Sequence, residues 1–213
     1  MTETFILDKT IVILVVFAIT MLMAMYATLA ERKIAAWIQD RVGPNRAGKG
    51  GILQPLADGL KLFSKEEFIP NTPNKFLFIL GPGISMTIAL TTSAVIPWGD
   101  KLVIGGREIL LQAADLDVAL LFVFAILSIA VYGIIIGGWA SNNKYSLMGA
   151  MRAGSQMISY ELAMGLSIIS IIMMTGSLSL KEIAVQQSGM NWNVFYQPLA
   201  FVIFLICSFA ETN

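Results

Sequence analysis

The 213-residue chain has the composition of a membrane protein. Hydrophobic residues make up 56% of it and charged residues only 13%, whereas a soluble domain carries about 25% charged residues. We therefore expect one membrane domain covering residues 1–213, and the formal net charge of zero gives no indication of nucleic-acid binding. With one cysteine and no histidine, the chain lacks the ligands that iron–sulfur clusters and haem require.

Five apolar segments predict five helices that cross or enter the bilayer. The predicted spans are approximately residues 10–30, 76–96, 118–139, 157–175 and 197–213. The fourth is expected to extend back toward Ser146 as a longer helix, and Asp117 is in position to cap the third. The predicted fold class is an all-α membrane protein with about five transmembrane helices.

The distribution of Lys and Arg predicts how the spans are oriented. The connections at residues 31–75 and 140–157 contain ten of the 14 basic residues, and the opposite side contains four. Because cytoplasmic connections are enriched in basic residues, we expect the amino terminus outside and residues 31–75 in the cytoplasm.

The first cytoplasmic connection is predicted to contain an amphipathic helix at residues 52–65, lying flat in the membrane interface. Its apolar and polar side chains fall on opposite faces at helical spacing. The apolar positions are Leu53, Leu56, Ala57, Leu60 and Phe63, and the polar positions are Gln54, Asp58, Lys61 and Lys65. Pro55 suits the first turn, and the glycines of GPNRAGKGG should turn the chain before the helix begins.

The connection at residues 97–117 predicts a short β-hairpin on the outer side. Two β-prone runs, KLVI and REIL, flank Gly105 and Gly106, which suit a two-residue turn. We expect this hairpin to have a structural role.

Glu161 is the most informative single residue. It follows Arg152 by nine residues, or about 13 Å along a helix, which brings it close to the membrane midplane. An acid at that depth is costly and usually faces the protein interior or a hydrated path. Gly154 and Gly165 share its helical face, so another helix or water could approach closely. The structural alternative is a protonated Glu161 hydrogen-bonded to a neighbouring helix.

A second acid, Glu211, follows a run of only twelve apolar or small residues after Pro198. That run is too short to cross a bilayer, so a continuing helix would keep Glu211 within the membrane. Glu31 and Arg32 end the first span, where an ordinary cationic membrane end is the simpler interpretation of the residues alone.

Five stretches of the chain resemble one protein family. They are ERK from Glu31, QDRVGPNRAG from Gln39, LQPLADGLKLFSKE from Leu53, GWASNNKYSLMGAMRAGSQMISYE from Gly138 and AETN from Ala210. Together they resemble the H-type membrane subunit of respiratory complex I, the proton-pumping NADH:quinone oxidoreductase. In that family the AETN motif continues into an acidic loop, so we expect this sequence to be truncated at its carboxyl terminus.

The resemblance implies a role for each candidate residue. Glu161, Glu211 and Glu31 would belong to the path that couples quinone reduction to proton pumping. Arg32 and Trp37 would line the entrance of the quinone channel, although Trp37 also suits an interfacial anchor. The other candidates would form a docking loop for hydrophilic subunits, although such a loop also suits lipid headgroups. They are Arg41, Arg46, Asp58 and Lys61.

The resemblance also implies quinone as the substrate, with no metal, haem, flavin or iron–sulfur cluster bound by this chain. The expected partners are other membrane subunits, membrane lipid, and cytoplasmic subunits that carry the quinone site and the terminal iron–sulfur cluster. The expected location is the bacterial inner membrane, or the mitochondrial inner membrane for an organellar protein.

Three other functions are compatible with the sequence. The equivalent subunit of a membrane-bound hydrogenase or formate hydrogenlyase would carry similar motifs without reducing quinone. A transporter also uses carboxylates within the membrane, although the inverted repeats of many such folds are not found in this sequence. A structural anchor for soluble subunits is the third.

Overall fold

The computed structural model describes residues 2–69, 73–104 and 107–212, and these ranges are mostly helical. The helices are α1 (Thr2–Ile38), α2 (Gln54–Ser64), α3 (Lys75–Val95), α4 (Ala119–Ala140), α5 (Lys144–Thr175), α6 (Leu180–Gln186), α7 (Asn193–Tyr196) and α8 (Pro198–Glu211). Strands β1 (Lys101–Ile104) and β2 (Arg107–Leu110) form an antiparallel pair. The chain divides into two compact units, the N-terminal unit (Met1–Phe68) and the C-terminal unit (Ile69–Asn213).

Four helices of the described chain are long and apolar enough to cross a membrane. These candidate spans are Leu7–Ile38, Lys75–Val95, Ala119–Ala140 and Lys144–Thr175. A fifth apolar helix, α8, has only 14 residues. The predicted fold class, an all-α membrane protein with a small hairpin, is therefore confirmed, with four long spans and one shorter apolar helix.

In the N-terminal unit, α1 ends in a tight turn with Asp40 in the left-handed region, at a φ of 48°. The Arg41 N–H donates to the Ala36 carbonyl oxygen at 2.9 Å, and the Asp40 N–H donates to the Trp37 carbonyl oxygen at 3.2 Å. These bonds satisfy carbonyl groups that the helix end would otherwise leave free. A Cβ on Gly43 would lie 3.2 Å from the Ala36 Cβ, so the absent side chain lets the loop return against α1.

Glycines carry the chain from α1 to α2. Residues 43–51 are irregular except for a single 3-10 turn at Lys49–Gly51. Gly51 has a φ of 81°, and a Cβ there would lie 2.0 Å from the Pro44 carbonyl oxygen, so only glycine fits. α2 then begins with Pro55 in its first turn, where the missing N–H has no partner to lose.

In the C-terminal unit, glycines allow close contact between helices. A Cβ on Gly81 of α3 would lie 2.8 Å from the Gly133 carbonyl oxygen of α4. A Cβ on Gly138 of α4 would lie 2.2 Å from the Ala150 Cβ of α5. Small residues at helix interfaces are typical of membrane proteins, because backbones that approach closely gain dispersion contacts where lipid supplies no hydrophobic driving force.

The start of α4 differs from the sequence prediction, which assigned the cap to Asp117. The N-cap residue is Val118, and no side chain caps the helix. The Leu120 N–H instead donates to the Leu178 carbonyl oxygen at 3.1 Å, in the connection that follows α5. The prediction is wrong because a backbone carbonyl distant in sequence satisfies this helix end.

α5 is one continuous helix that begins well before residue 157, in line with the expected extension toward Ser146. The Asn143 side chain caps it by accepting from the Tyr145 N–H at 2.9 Å, and Gly176 ends it at a φ of 71°. A helix of 32 residues is about 48 Å long, against about 30 Å for the hydrocarbon core of a bilayer. α5 therefore extends beyond that core or is tilted within it.

The hairpin pairs Lys101 with Leu110 and Ile104 with Arg107. Lys101 Nζ lies 2.8 Å from Glu108 Oε2 on its exposed surface. The Gln112 side chain donates to the Val95 carbonyl oxygen at 2.8 Å and so joins the segment after β2 to the end of α3. The predicted turn residues Gly105 and Gly106 lie outside the described residues.

Candidate functional site

Glu161 lies near the middle of α5, about 25 Å along the helix from Lys144. The residues around it are apolar enough for α5 to count among the candidate membrane spans. Its side chain is half-buried, so the helix neither seals it among aliphatic neighbours nor exposes it fully. The sequence expectation of an acid deep within a long apolar helix therefore agrees with its position.

The partner of Glu161 is Ser128, on the neighbouring helix α4. The Ser128 hydroxyl donates a hydrogen bond to Glu161 Oε1. The same hydroxyl lies 3.0 Å from the Phe124 carbonyl oxygen, one turn earlier in α4. No ion pair among the described residues includes Glu161.

An open groove of about 680 Å³ runs between α4 and α5, and Glu161 lines it together with Ser128 and Tyr132. The other lining side chains are apolar, so these three residues supply its polar surface. Gly165 also lines the groove, and a Cβ there would meet nothing within 4 Å. A groove of this volume has room for several water molecules beside the acid.

Gly154 and Gly165, which lie on the same face of α5 as Glu161, have different roles. A Cβ on Gly154 would lie 3.3 Å from Val131 and 3.4 Å from Ile135, so this glycine brings α5 against α4. Gly165 leaves space in the groove instead. The approach of another helix expected from the sequence therefore occurs at Gly154, whereas Gly165 leaves an open space.

Glu211 lies at the end of α8, which packs against α5. The Gln156 side chain donates to the Ala210 carbonyl oxygen at 2.8 Å, and the Ser208 hydroxyl lies 3.7 Å from Met164 Sδ. Because α8 packs against α5, Glu211 and Glu161 lie on neighbouring helices. The structure therefore brings together two of the three acids that the sequence analysis grouped.

In the N-terminal unit, an ion pair joins the end of α1 to α2. Arg32 Nη1 lies 2.5 Å from Asp58 Oδ2, and the Gln54 side chain donates to Asp58 Oδ1 at 3.2 Å. The bond from Gln54, the Arg32 guanidinium and the charge of Lys61 together hold the pKa of Asp58 below its ordinary value. The Arg32 side chain is 52% exposed, so water and salt screen this pair.

A second contact joins α1 to the glycine loop, the irregular segment at residues 43–51. Lys33 Nζ donates to the Gly50 carbonyl oxygen at 2.5 Å. Gly50 has a φ of 68°, a backbone conformation that residues other than glycine rarely adopt. This conformation directs its carbonyl group toward Lys33. The sequence analysis did not assign Lys33 a partner, because a backbone acceptor 17 residues away leaves no sequence signal.

The remaining candidates of the N-terminal unit are exposed and are not gathered into one cluster. Trp37 is 85% exposed, and Arg41 donates to its near neighbour Gln39 at 2.6 Å. The side chains of Glu31 and Arg46 make no hydrogen bond or ion pair within the described part of the chain. The predicted site residues of the N-terminal unit are therefore spread over a surface. The exception is the ion pair of Arg32 and Asp58, which has the charge of Lys61 beside it.

Sequence reasoning missed Ser128 and Tyr132. The available signal was a serine and a tyrosine four residues apart in the apolar run of α4, which lie on one helical face. Such polar residues in a membrane helix commonly bond to a neighbouring helix. The partner of Ser128 was not predictable, because it lies 33 residues away in the chain.

A second cavity, of about 360 Å³, lies between the end of α5, the short helix α6 and the start of α8. Within the described ranges its lining is apolar and amide, without an ionisable side chain. The described residues also contain no group of three or more His, Cys, Asp or Glu that could hold a metal ion. The groove with Glu161 is therefore the stronger candidate site for proton chemistry.

Comparison with known proteins identifies the family. The profile described as NADH dehydrogenase matches residues 10–213. The H-type subunit of the NADH-quinone oxidoreductase of Flavobacterium psychrophilum is 74% identical over 213 residues, which are 100% of this chain and 62% of that protein. The H-type subunit of the same enzyme in Flavobacterium johnsoniae is 71% identical, over 100% of this chain and 61% of its own length.

A third relative, an H-type subunit of the NADH-quinone oxidoreductase of Cytophaga hutchinsonii, is 62% identical over 98% of this chain and 61% of its own length. The chain thus spans 62% or less of the length of these three curated relatives. Since the family profile covers nearly the whole sequence, the chain belongs to the NADH dehydrogenase family.

Proposed function

We propose that this chain is a membrane subunit of a proton-translocating NADH:quinone oxidoreductase. In this proposal it forms the access channel for quinone, begins the proton-coupling path and docks the hydrophilic redox subunits. The names of the relatives support the enzyme class. The observation that carries the coupling role is Glu161, held in the middle of an apolar helix, bonded to Ser128 and lining an open groove.

Glu161 and Glu211 act as proton carriers in this scheme. A carboxylate within hydrocarbon costs a few kcal/mol or more, so its retention in a membrane helix usually reflects function. Because α8 packs against α5, the two acids lie on neighbouring helices, where a proton taken up by one would lower the repulsion that the other experiences. Charge that appears during quinone reduction near Glu31 would shift the protonation of this coupled pair.

The N-terminal unit receives quinone from the membrane. The apolar side chains of α2 face outward, with Phe63 93% exposed and Leu60 71% exposed, as expected for a helix lying in the membrane interface. Trp37 and Arg32 stand at the water end of α1 and form the entrance for the quinone tail and headgroup. Asp58 holds Arg32 in position through their ion pair.

The basic loop, which is the connection at residues 31–75, docks the hydrophilic partners. Arg46 and Lys61 are exposed cations, and the side chain of Arg41 is bonded only to Gln39 among the described residues. Such cations suit acidic surfaces of water-soluble subunits, and they add affinity chiefly where binding removes water. The iron–sulfur clusters and other redox centres belong to those partners, and quinone is the substrate rather than a resident group.

We place the protein in a bacterial inner membrane, with its amino terminus outside and the basic loop in the cytoplasm. The asymmetry in Lys and Arg supports this orientation. Five spans near residues 10–30, 76–96, 118–139, 157–175 and 197–213 would then form a single membrane domain, with the helix at residues 52–65 in the interface.

The test is Glu161→Gln in the assembled complex, with Glu182→Gln as the matched control. Glu182 also accepts a bond from a serine, Ser177, but it lies in the short helix α6 rather than in a candidate span. Glu161→Gln should lower quinone reduction and proton translocation by at least about tenfold, or roughly 1.4 kcal/mol of barrier. NADH oxidation by a soluble electron acceptor should be unchanged in both variants. Full activity of Glu161→Gln would remove Glu161 from the path.

A further inference from the structure

The Ser128 hydroxyl lies between two acceptors that compete for its one hydrogen. One is Glu161 Oε1 on α5, and the other is the Phe124 carbonyl oxygen at 3.0 Å on its own helix. A serine hydroxyl has one donor hydrogen and two acceptor lone pairs. It can therefore donate to only one of these oxygens at a time, while it can still accept from a third group.

When Glu161 is ionised, its carboxylate can only accept hydrogen bonds. Ser128 then directs its hydrogen to Glu161, and a bond to a charged acceptor is stronger than one to a neutral carbonyl. The Phe124 carbonyl loses nothing essential, because it remains the helical acceptor one turn before Ser128.

When Glu161 takes up a proton, it gains a donor of its own. The carboxyl group donates to Ser128 Oγ, and the hydroxyl rotates to donate to the Phe124 carbonyl oxygen, which already lies within hydrogen-bond distance. No proton passes through the serine in this change. Both charge states of Glu161 are therefore satisfied without movement of either helix.

We propose that Ser128 is a positioning residue whose hydroxyl rotates with the protonation state of Glu161. The inference rests on the proposed coupling role of Glu161 and extends it to a residue on a different helix. A polar group left without a partner among the apolar side chains of the groove would favour the other state. By bonding to both forms, Ser128 keeps the acid able to take up and release a proton at the groove.

Other polar groups near Glu161 do not replace this function. Tyr132 lines the same groove four residues after Ser128, and Glu211 on α8 is a second acid of the same charge. Neither forms a hydrogen bond with Glu161 among the described residues. Ser128 is thus the group on the described part of the chain whose hydrogen bonding depends directly on the charge of Glu161.

The experiment compares Ser128→Thr with Ser128→Val in the assembled complex. Threonine and valine have nearly the same shape, and valine carries a methyl group in place of the hydroxyl, so the comparison isolates the hydrogen-bonding group. Ser128→Thr should keep quinone reduction within about twofold of the natural protein, and Ser128→Val should lower it about tenfold, the effect of losing a hydrogen bond to a charged group. Ser128→Ala, which adds no bulk, should behave as Ser128→Val does.

The control is Thr91→Val in α3. Thr91 also donates its hydroxyl to a carbonyl one turn earlier, that of Thr87 at 2.7 Å, without touching a carboxylate. This variant should retain its activity. Equal activities of Ser128→Thr, Ser128→Val and Ser128→Ala would overturn the proposal, because the hydroxyl would then be dispensable.

A double variant separates this proposal from the proposed function. If Ser128 acts through Glu161, adding Ser128→Val to Glu161→Gln should cause no further loss of activity. An additional loss of about tenfold in the double variant would show that Ser128 acts independently of Glu161, against the proposal. Full activity of Glu161→Gln alone would instead reject the coupling role of that acid.

Discussion

The two units of the molecule treat their acids in different ways. In the N-terminal unit, Asp58 pairs with the cation Arg32 on a surface where the guanidinium side chain is 52% exposed. In the C-terminal unit, Glu161 is bonded to the neutral hydroxyl of Ser128 inside a long apolar helix pair. The Gln54 bond and Arg32 hold the pKa of the first acid below its ordinary value, whereas the second acid has a neutral partner and an open groove beside it.

The two units also differ in how their helices are joined. In the N-terminal unit the partly exposed ion pair of Arg32 and Asp58 joins α1 to α2, while large apolar side chains are exposed in both units. The C-terminal unit instead joins its helices through glycine contacts such as Gly138 against Ala150. We therefore expect the C-terminal unit to depend on its packing and the N-terminal unit to depend on solution conditions.

The largest effect on stability should come from Gly138→Ala. The new Cβ would lie 2.2 Å from the Ala150 Cβ and 3.1 Å from the Ser146 carbonyl oxygen, so α4 and α5 must separate. We expect a loss of about 1–3 kcal/mol in unfolding free energy, measured by SDS-induced unfolding of the purified protein.

The adjacent glycine supplies the control. A Cβ on Gly137 would meet nothing within 4 Å, and alanine favours a helix over glycine by up to about 1 kcal/mol. Gly137→Ala should therefore be neutral or stabilising. Equal effects of the two substitutions would contradict the claim that close packing holds this unit together.

A smaller loss should follow Gln197→Leu at the start of α8. Its amide donates to the Ser170 carbonyl oxygen at 3.0 Å and accepts from the Ser170 hydroxyl at 2.5 Å, in a half-buried contact with α5. Removing it should cost about 1–2 kcal/mol, independently of salt, because the bonds are neutral. The same unfolding measurement applies, and Gln186→Leu, which removes one exposed bond of 3.2 Å to Thr175, should change little. A strong salt dependence would show that charge, not packing, dominates here.

The smallest effect should come from Asp58→Asn. The pKa of Asp58 is lowered in the folded protein by the Gln54 bond and by Arg32, so the ionised form contributes stability that is present above the ordinary pKa of 3.8 and is lost as the pH falls below it. At neutral pH, amide hydrogen exchange in α2 should be about twofold to fivefold faster in the variant than in the natural protein.

Two conditions should remove that difference. It should shrink in about 1 M salt, where the screening length is about 3 Å, and disappear at a pH well below 3.8, where both proteins carry a neutral side chain. Glu67→Gln, which changes an exposed acid of the same unit, should leave exchange unaltered. A difference that persists in acid would mean that shape rather than charge joins α2 to α1.

Much of the fold could be predicted because its signals are local. The apolar runs predicted long helices, and α4 at Ala119–Ala140 lies within one residue of the segment expected from hydropathy. Pro55 and the glycines before it predicted where α2 begins. The start of α4 could not be predicted correctly from Asp117, because the Leu178 carbonyl oxygen that satisfies it comes from a remote connection.

The candidate site was predictable only in part. Glu161 stood out because an acid in a long apolar run is costly wherever its neighbours lie. Arg32 and Asp58 were both candidates, but their pairing depends on how the glycine loop returns α2 to the end of α1. The spacing of Ser128 and Tyr132 puts them on one helical face, but it does not reveal which helix that face packs against.

Local signals in the amino-acid order were sufficient for the long apolar helices, the basic loop after the first of them, and the acid deep within the longest helix of the C-terminal unit. Hydropathy and helical periodicity depend on neighbours in the chain, so these features needed no knowledge of packing. The contact between Ser128 and Glu161 emerges only in the folded chain, because it depends on the register in which α4 and α5 pack. Gly138 and Gly154 set that register through backbone approach, which periodicity does not encode.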